Sequence, residues 1–147
     1  MKRWFFAMLI LLAGLALSWS GAAAAAADEI TQEDRVAIRS VVQSQLEALA
    51  DDDAEAAFAQ ATADTRSRLG NSDTFLQIIK QQFAPIYRHQ RAIFSAPEVI
   101  GGHMVQVVRL TDSDSSVWLA IYQMQRESDG KWKIAGCGLI ETTTVSV

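Results

Sequence analysis

The spacing of hydrophobic residues changes once along this chain, near residue 90, and this change constrains the fold more than any other feature. Before it, large apolar residues recur every three or four positions, as on one face of an α-helix. They include Ile38, Val42, Leu46 and Leu49. After it, residues 103–110 and 117–126 alternate as β-strands do. Helices followed by a run of strands predict an α+β domain with the helices on one face of an antiparallel sheet.

The first part of this domain is predicted to contain three helices. Thr31 caps the first, and the acidic run 51–53 ends it and caps a second helix over residues 54–63. Gly70 and Asn71 interrupt the chain, and a third helix begins at Ser72 or Asp73. This third helix is expected to end at Pro85, whose ring clashes with the preceding turn.

The second part is predicted to form a four-stranded antiparallel meander. The strands cover residues 92–99, interrupted or bent at Pro97, and then residues 103–110, 117–126 and 131–140. Asp129-Gly130 is a strong hairpin signal between the last two strands. Gly136 and Gly138 interrupt the last strand and indicate a bend or bulge, so the sheet is expected to be curved.

Residues 1–27 have the pattern of a secretory signal peptide. Lys2 and Arg3 precede an uncharged apolar run over residues 4–17, and an alanine-rich segment ends at Ala27. Signal peptidase requires such small residues before its cleavage site. The alternative, an uncleaved membrane anchor, has a rather short apolar run. We therefore expect an exported chain, periplasmic or secreted, that contacts the membrane only transiently through the signal peptide. Residues 28–147 are expected to form one domain.

Composition limits the partners and cofactors of this domain. The chain has a formal net charge of −4, which disfavours a nucleic-acid partner. Its single cysteine, Cys137, excludes an intrachain disulfide. The run 51–53 lacks the alternating ligand pattern of a calcium loop, and two histidines with one cysteine give no zinc spacing. We predict neither a metal nor an organic cofactor.

Several segments of the chain, in their order and spacing, resemble the cone-shaped nuclear transport factor 2-like superfamily. More narrowly, they are similar to a family of short exported bacterial proteins of unassigned function. The matching segments are residues 45–49, 52–54, 57–59, 75–76, 83–88, 118–122 and 129–137. The resemblance implies a cone-shaped fold and export but no activity. Ketosteroid isomerases and polyketide cyclases of this superfamily pair an acid or histidine base with an acidic or tyrosyl donor, and no such pair can be matched here.

Two groups of side chains are candidates for ligand contacts. Three side chains point to one side of a strand, those of Trp118, Tyr122 and Met124. Together with Tyr87, they are candidates for lining an apolar pocket. The alternative is that they simply form the contact between sheet and helices. Arg88 and Arg91 are candidates for binding an anion, and the alternative is a solvated basic surface.

The opposite face of the sheet carries a row of aliphatic residues that is predicted to be an interface. The candidates are Val105, Val107, Leu119 and Ile121. An apolar patch of this kind usually marks a binding surface, so we expect a homodimer formed through the sheet.

These observations predict a non-catalytic domain that binds a small apolar ligand or a protein partner. The alternative is a cofactor-free lyase or isomerase acting on a small hydrophobic molecule. In that alternative Tyr122 and Tyr87 are proton donors and Asp52 or His103 is the base. No catalytic signature identifies such residues. Cys137 has no cation or base beside it in sequence, which favours a buried small hydrophobe over a reactive thiol.

Overall fold

A computed structural model describes residues 30–142 of the chain. The proposed signal peptide, residues 1–27, lies outside this range. The described part is an α+β domain in which five helices precede an antiparallel sheet. The helices are α1 (Gln32–Ala50), α2 (Ala54–Ala59), α3 (Ala63–Leu69), α4 (Ser72–Gln82) and α5 (Ala84–Tyr87). The strands are β1 (Arg91–Phe94), β2 (Glu98–Ile100), β3 (His103–Thr111), β4 (Val117–Arg126) and β5 (Trp132–Glu141).

Helix α1 supplies the largest helical face of the core. Glu33 and Asp34 lie in its first turn, where negative charge is favourable. The residues on its buried face are Ile38, Val42, Gln45, Leu46 and Leu49. This face packs against β3 and β5. Each fully buried aliphatic side chain contributes about 1.5–3 kcal/mol relative to exposure. No helix of the described range combines the length and apolar character that crossing a membrane requires.

The prediction of three helices is wrong, because residues 54–63 do not form one continuous helix. Helix α2 ends at Ala59, and Ala61 then forms a parallel bridge with Ile134 of β5. The Thr62 N–H donates to the Ile134 carbonyl at 2.9 Å. The Thr62 side chain then accepts from the Thr65 N–H and begins α3. Pairing with the sheet therefore overrides the helical preference of the alanines.

Pro85 also acts differently from the prediction. Helix α4 begins at Ser72 with Asn71 as its N-cap, but it ends at Gln82, before the proline. Pro85 lies in the first turn of the short helix α5. A proline is tolerated there because the first turn of a helix does not use its N–H groups. The segment that was expected to end one helix therefore starts another.

The sheet has five strands instead of the four predicted. The strand order is β1-β3-β4-β5, and β2 also pairs with β3. Strands β1 and β2 pair with different parts of β3, so the predicted first strand is divided around Pro97. The pairing between β4 and β5 shifts at Gln123/Met124, which marks a β-bulge.

The two faces of the sheet differ in burial. One face, which we call the inner face, is covered by the helices. Its buried members on β3 and β4 are Met104, Gln106, Val108, Leu110, Ala120, Tyr122 and Met124. The other face, the outer face, carries the residues that alternate with these. The antiparallel α+β class is therefore confirmed, and the division into two faces determines which side chains can meet a ligand.

Candidate functional site

A cavity of roughly 170 Å³ lies between the helices and β5, and we call it the α4–β5 pocket. Helix α4 supplies one wall, and the start of β5 supplies the opposite wall. The side chains that line it are mostly aliphatic and aromatic. They are Gln45, Ala61, Thr65, Leu69, Phe75, Ile78, Ile79, Phe83, Ile134 and Cys137. Phe75 and Ile79 reach the pocket because they lie one helical turn apart on the buried side of α4.

Most polar groups around this pocket are already bonded to the protein. The Gln45 amide donates to the Ala57 carbonyl at 3.2 Å, and the Thr65 hydroxyl donates to the Ala135 carbonyl at 2.9 Å. The remaining polar side chain is Cys137. Burial raises the pKa of its thiol to about 11, so the thiol is protonated at neutral pH. The pocket therefore presents an uncharged and largely apolar surface.

Tyr122 lies next to this pocket but does not line it. It pairs directly with Cys137 across β4 and β5, and it is 0% exposed. Its hydroxyl has no hydrogen-bond partner among the described residues. Burial raises the pKa of Tyr122 well above its ordinary value, and the nearby Cys137 adds to the shift. Tyr122 is thus a neutral phenol in the protein interior.

Gln106 provides a second unpartnered polar atom on the inner face. It lies opposite Tyr122 on the neighbouring strand β3 and is also 0% exposed. Its amide nitrogen donates to the carbonyls of Ser95 and Val107 at 2.7 and 2.9 Å. Its amide oxygen has no partner in the described part of the chain. Each such atom costs about 1–3 kcal/mol if nothing satisfies it.

The structure does not gather the four predicted pocket residues into one cavity. Met124 is buried opposite Met104 on the inner face. Trp118 is half-buried at the other end of β4, where its indole N–H donates to Asp112 at 2.9 Å. It lines a separate open cleft that also includes Arg88. Tyr87 belongs to a different cluster, and Tyr122 alone lies beside the α4–β5 pocket.

Tyr87, Asp52 and Arg88 form a cluster at the end of α1. The Tyr87 hydroxyl and the Arg88 guanidinium both donate to the Asp52 carboxylate. Arg88 also donates to the Leu49 carbonyl at 2.9 Å and stacks over the Tyr87 ring. The Tyr87 hydrogen bond, assisted by Arg88, lowers the pKa of Asp52, while the bond to Asp52 raises the pKa of Tyr87.

This cluster includes one of the two arginines that were candidates for anion binding. The charge of Arg88 is already paired with Asp52, and one of its N–H groups satisfies a carbonyl at the end of α1. Arg91 is exposed at the start of β1. The Asp52 cluster therefore closes the end of a helix, and its carboxylate lies away from the α4–β5 pocket.

The four predicted interface residues lie together on the outer face. Val105 is 6% exposed, and the other three are half-buried. Val105 and Ile121 line a shallow groove of roughly 470 Å³, which we call the outer groove. Its floor at the sheet edge contains Gly136 and Gly138. Ile100 and Ile140 border it and are 50% and 52% exposed.

The remaining candidate groups lie in different parts of residues 30–142. His103 is exposed and lines the outer groove. Asp53 caps α2 by accepting from the Ala56 N–H. Within residues 30–142, no group of three histidine, cysteine or acidic side chains is arranged to hold a metal ion.

The family of the chain follows from a comparison with family models. Residues 31–147 match the model described as Domain of unknown function (DUF4864). The chain belongs to this family. The predicted membership of a family of unknown function is thereby confirmed. No curated protein and no solved structure matches the chain.

Sequence reasoning missed two features of this DUF4864 domain. The first is the pocket wall on β5, because Ile134 and Cys137 meet the helices only after the bridge to Ala61 forms. The second is a contact between the ends of the domain, in which Asp34 accepts from Arg126 and from the Trp132 indole. No local sequence signal indicates either contact. The apolar spacing of Phe75, Ile79 and Phe83 was the available signal for the pocket.

Proposed function

We propose that this DUF4864 domain is an exported, non-catalytic binding domain that holds a small apolar ligand in the α4–β5 pocket. One observation carries the proposal: the pocket is lined mostly by carbon-rich side chains, and the Gln45 amide and Thr65 hydroxyl of its lining are already hydrogen-bonded. An engineered apolar cavity of about 150 Å³ remains dry and binds benzene. A pocket of roughly 170 Å³ is similar in size. The expected ligand is therefore small, about one ring.

The composition of the pocket favours binding over catalysis. Among the described residues, those that line it include no carboxylate and no imidazole. The candidate bases lie elsewhere: Asp52 bonds to Tyr87 and Arg88, and His103 is on the outer groove. The Cys137 thiol is protonated at neutral pH because burial raises its pKa to about 11. A lyase or isomerase needs a general base that can reach its substrate.

The proposal includes a cone-shaped, nuclear transport factor 2-like arrangement and export. The order of helices before an antiparallel sheet, with its inner face buried against them, supports the fold assignment. The charged start, apolar run and small residues of positions 1–27 support export. Mass analysis of the protein recovered from cells that express the full chain tests this part. A first residue at or near Asp28 is expected, and an intact N-terminus contradicts cleavage.

Benzene is the appropriate probe for the pocket. We expect saturable changes in the methyl NMR signals of Ile78 and Ile79 when benzene is added. Ile78 lines the pocket, so Ile78→Phe is expected to fill it and abolish the change at the Ile79 methyl signals. Leu76→Phe is the matched control, because Leu76 lies on the same helix but does not line the pocket. Non-saturable changes in the unmodified chain, or benzene binding that survives Ile78→Phe, would refute the proposal.

We also propose that the domain forms a homodimer through its outer face. Ile100 and Ile140 are exposed and lie beside half-buried aliphatic residues on this face. Their exposure supports the dimer, since exposed apolar patches usually mark interfaces. A side chain at Gly138 projects into open space. Gly138→Glu is therefore expected to place a charge in the outer groove without disturbing the fold.

Analytical ultracentrifugation provides the test of the dimer. The unmodified domain is expected to sediment as a dimer and the Gly138→Glu variant as a monomer. Ser113→Glu adds the same charge at an exposed position away from this groove and is expected to remain dimeric. A monomeric unmodified domain, or a dimeric Gly138→Glu variant, contradicts the proposal.

A further inference from the structure

A second cavity, roughly 320 Å³ in volume, lies between α1 and the segment that leads into β1. We call it the α1–β1 cleft. It shares no residue with the α4–β5 pocket or the outer groove. Leu46, Ala92 and Phe94 provide apolar surface. The charged or polar groups are Arg39, Glu47, His89 and Gln43, whose amide donates to the Glu47 carboxylate at 3.1 Å. This mixture distinguishes it from the uncharged α4–β5 pocket.

The Arg39 end of the cleft carries a positive charge that forms no ion pair within residues 30–142. The Arg39 guanidinium lies 5.0 Å from the centre of the Phe94 ring, which holds it against the side of the cleft. The arginines that form ion pairs in residues 30–142 are Arg68, Arg88 and Arg126. Arg39 is therefore free to bind a carboxylate, which its guanidinium can grip through two N–H groups.

The other end of the cleft carries a negative charge and an imidazole. Glu47 lies eight residues beyond Arg39 on α1, which places the two backbone positions about 12 Å apart along the helix axis. His89 lies at this end because the preceding Arg88 is bonded to the Leu49 carbonyl. The Nδ1 atom of His89 is buried and has no hydrogen-bond partner in the described part of the chain.

We propose that the α1–β1 cleft binds a short zwitterionic peptide of small apolar residues. Its carboxylate pairs with Arg39, and its terminal ammonium pairs with Glu47 at the end of the cleft lined by His89. The two charged residues cancel, so a ligand with one charge of each sign matches the cleft better than a simple anion or cation does. An extended chain covers about 3.3–3.6 Å per residue, so three residues cover about 10–11 Å, close to the roughly 12 Å between the two backbone positions. The peptide side chains then rest on Leu46 and Phe94.

Trialanine and its two capped forms test the charge assignment in the full mature domain. We expect trialanine to shift the NMR signals of His89 and Arg39 saturably. Trialanine amide lacks the carboxylate, and N-acetyl-trialanine lacks the ammonium. Each capped form is expected to bind at least roughly tenfold more weakly, which corresponds to about 1.4 kcal/mol. Equal binding of trialanine and both capped forms overturns the proposal, as does the absence of a saturable shift with trialanine.

Two charge-removing variants identify the end at which each group binds. Arg39→Gln is expected to bind trialanine and its amide equally, and Glu47→Gln is expected to bind trialanine and the N-acetyl form equally. Arg35→Gln is the control, because Arg35 is exposed on α1 but does not line the cleft. Circular dichroism verifies that each variant is folded. If both variants retain the full preference of the unmodified domain for trialanine, the cleft is not the binding site.

Discussion

Tyr122 and Cys137 occupy directly paired positions on β4 and β5, and both side chains remain protonated inside the domain. Burial is the main cause for each of them. The thiol faces the α4–β5 pocket, while the phenol lies next to it without a hydrogen-bond partner in the described residues. This pair connects the β5 wall of the pocket to the buried interior of the sheet.

Removal of the Tyr122 hydroxyl is expected to leave the domain at least as stable as before. Tyr122→Phe removes a buried polar group that has no partner, so the free energy of unfolding should stay within about 1 kcal/mol or increase. Urea denaturation monitored by circular dichroism measures this change. A loss above about 1.5 kcal/mol would mean that the hydroxyl has a partner, such as a buried water.

Cys137 is expected to react slowly with alkylating agents while the domain is folded. Its pKa of about 11 leaves far less thiolate at pH 8 than an ordinary cysteine has. Iodoacetamide should therefore modify the folded domain about two orders of magnitude more slowly than the unfolded chain in urea. Intact-mass spectrometry follows the reaction over time. Similar rates in both states would contradict the raised pKa.

The same raised pKa predicts a loss of stability in alkali. The folded domain holds the Cys137 proton more tightly than the unfolded chain, whose thiol titrates near pH 8.5. This contribution is complete below about pH 8.5 and is lost as the pH rises through about 11. Cys137→Ala should reduce the decline of the free energy of unfolding between these pH values. An unchanged decline in the variant would assign the effect to other groups.

Asp112 is expected to contribute to stability above about pH 4. The Trp118 indole N–H lowers the pKa of its carboxylate, assisted by the N–H groups of Ser116 and Asp114. A lowered pKa stabilises the folded state above the ordinary aspartate value near 3.9, and this stabilisation is lost as the pH falls through the folded value. Trp118→Phe removes the main donor. Carbon-detected NMR titration should then show a higher pKa for Asp112, and an unchanged pKa would refute the assignment.

Two glycines are expected to respond oppositely to alanine. Gly70 ends α3 with a φ of 93°, where a Cβ atom is strained, so Gly70→Ala should cost about 1–2 kcal/mol. Gly138 has ordinary backbone geometry, and an added Cβ meets nothing within 4 Å. Gly138→Ala should change stability by less than about 0.5 kcal/mol. Thermal unfolding of both variants measures the difference, and equal losses would contradict this distinction.

Local sequence signals determined the class of the fold and many of its boundaries. The apolar spacing of α1 predicted its buried face, because one helical face must meet the core. Asn71 and Gly70 marked a break between helices, since one caps a helix and the other adopts a positive φ. The alternation in β3 and β4 predicted which positions share a face. These features depend on a few neighbouring residues, so the sequence contains them directly.

Only the tertiary structure decided how the pocket and the clefts are built. The bridge between Ala61 and Ile134 divides the predicted second helix and brings β5 to the α4–β5 pocket. Asp52, a candidate base in the alternative prediction, bonds to the Tyr87 hydroxyl and the Arg88 guanidinium. These contacts join residues that are far apart in sequence. Their energy depends on which surfaces the folded chain brings together, and no local preference encodes that information.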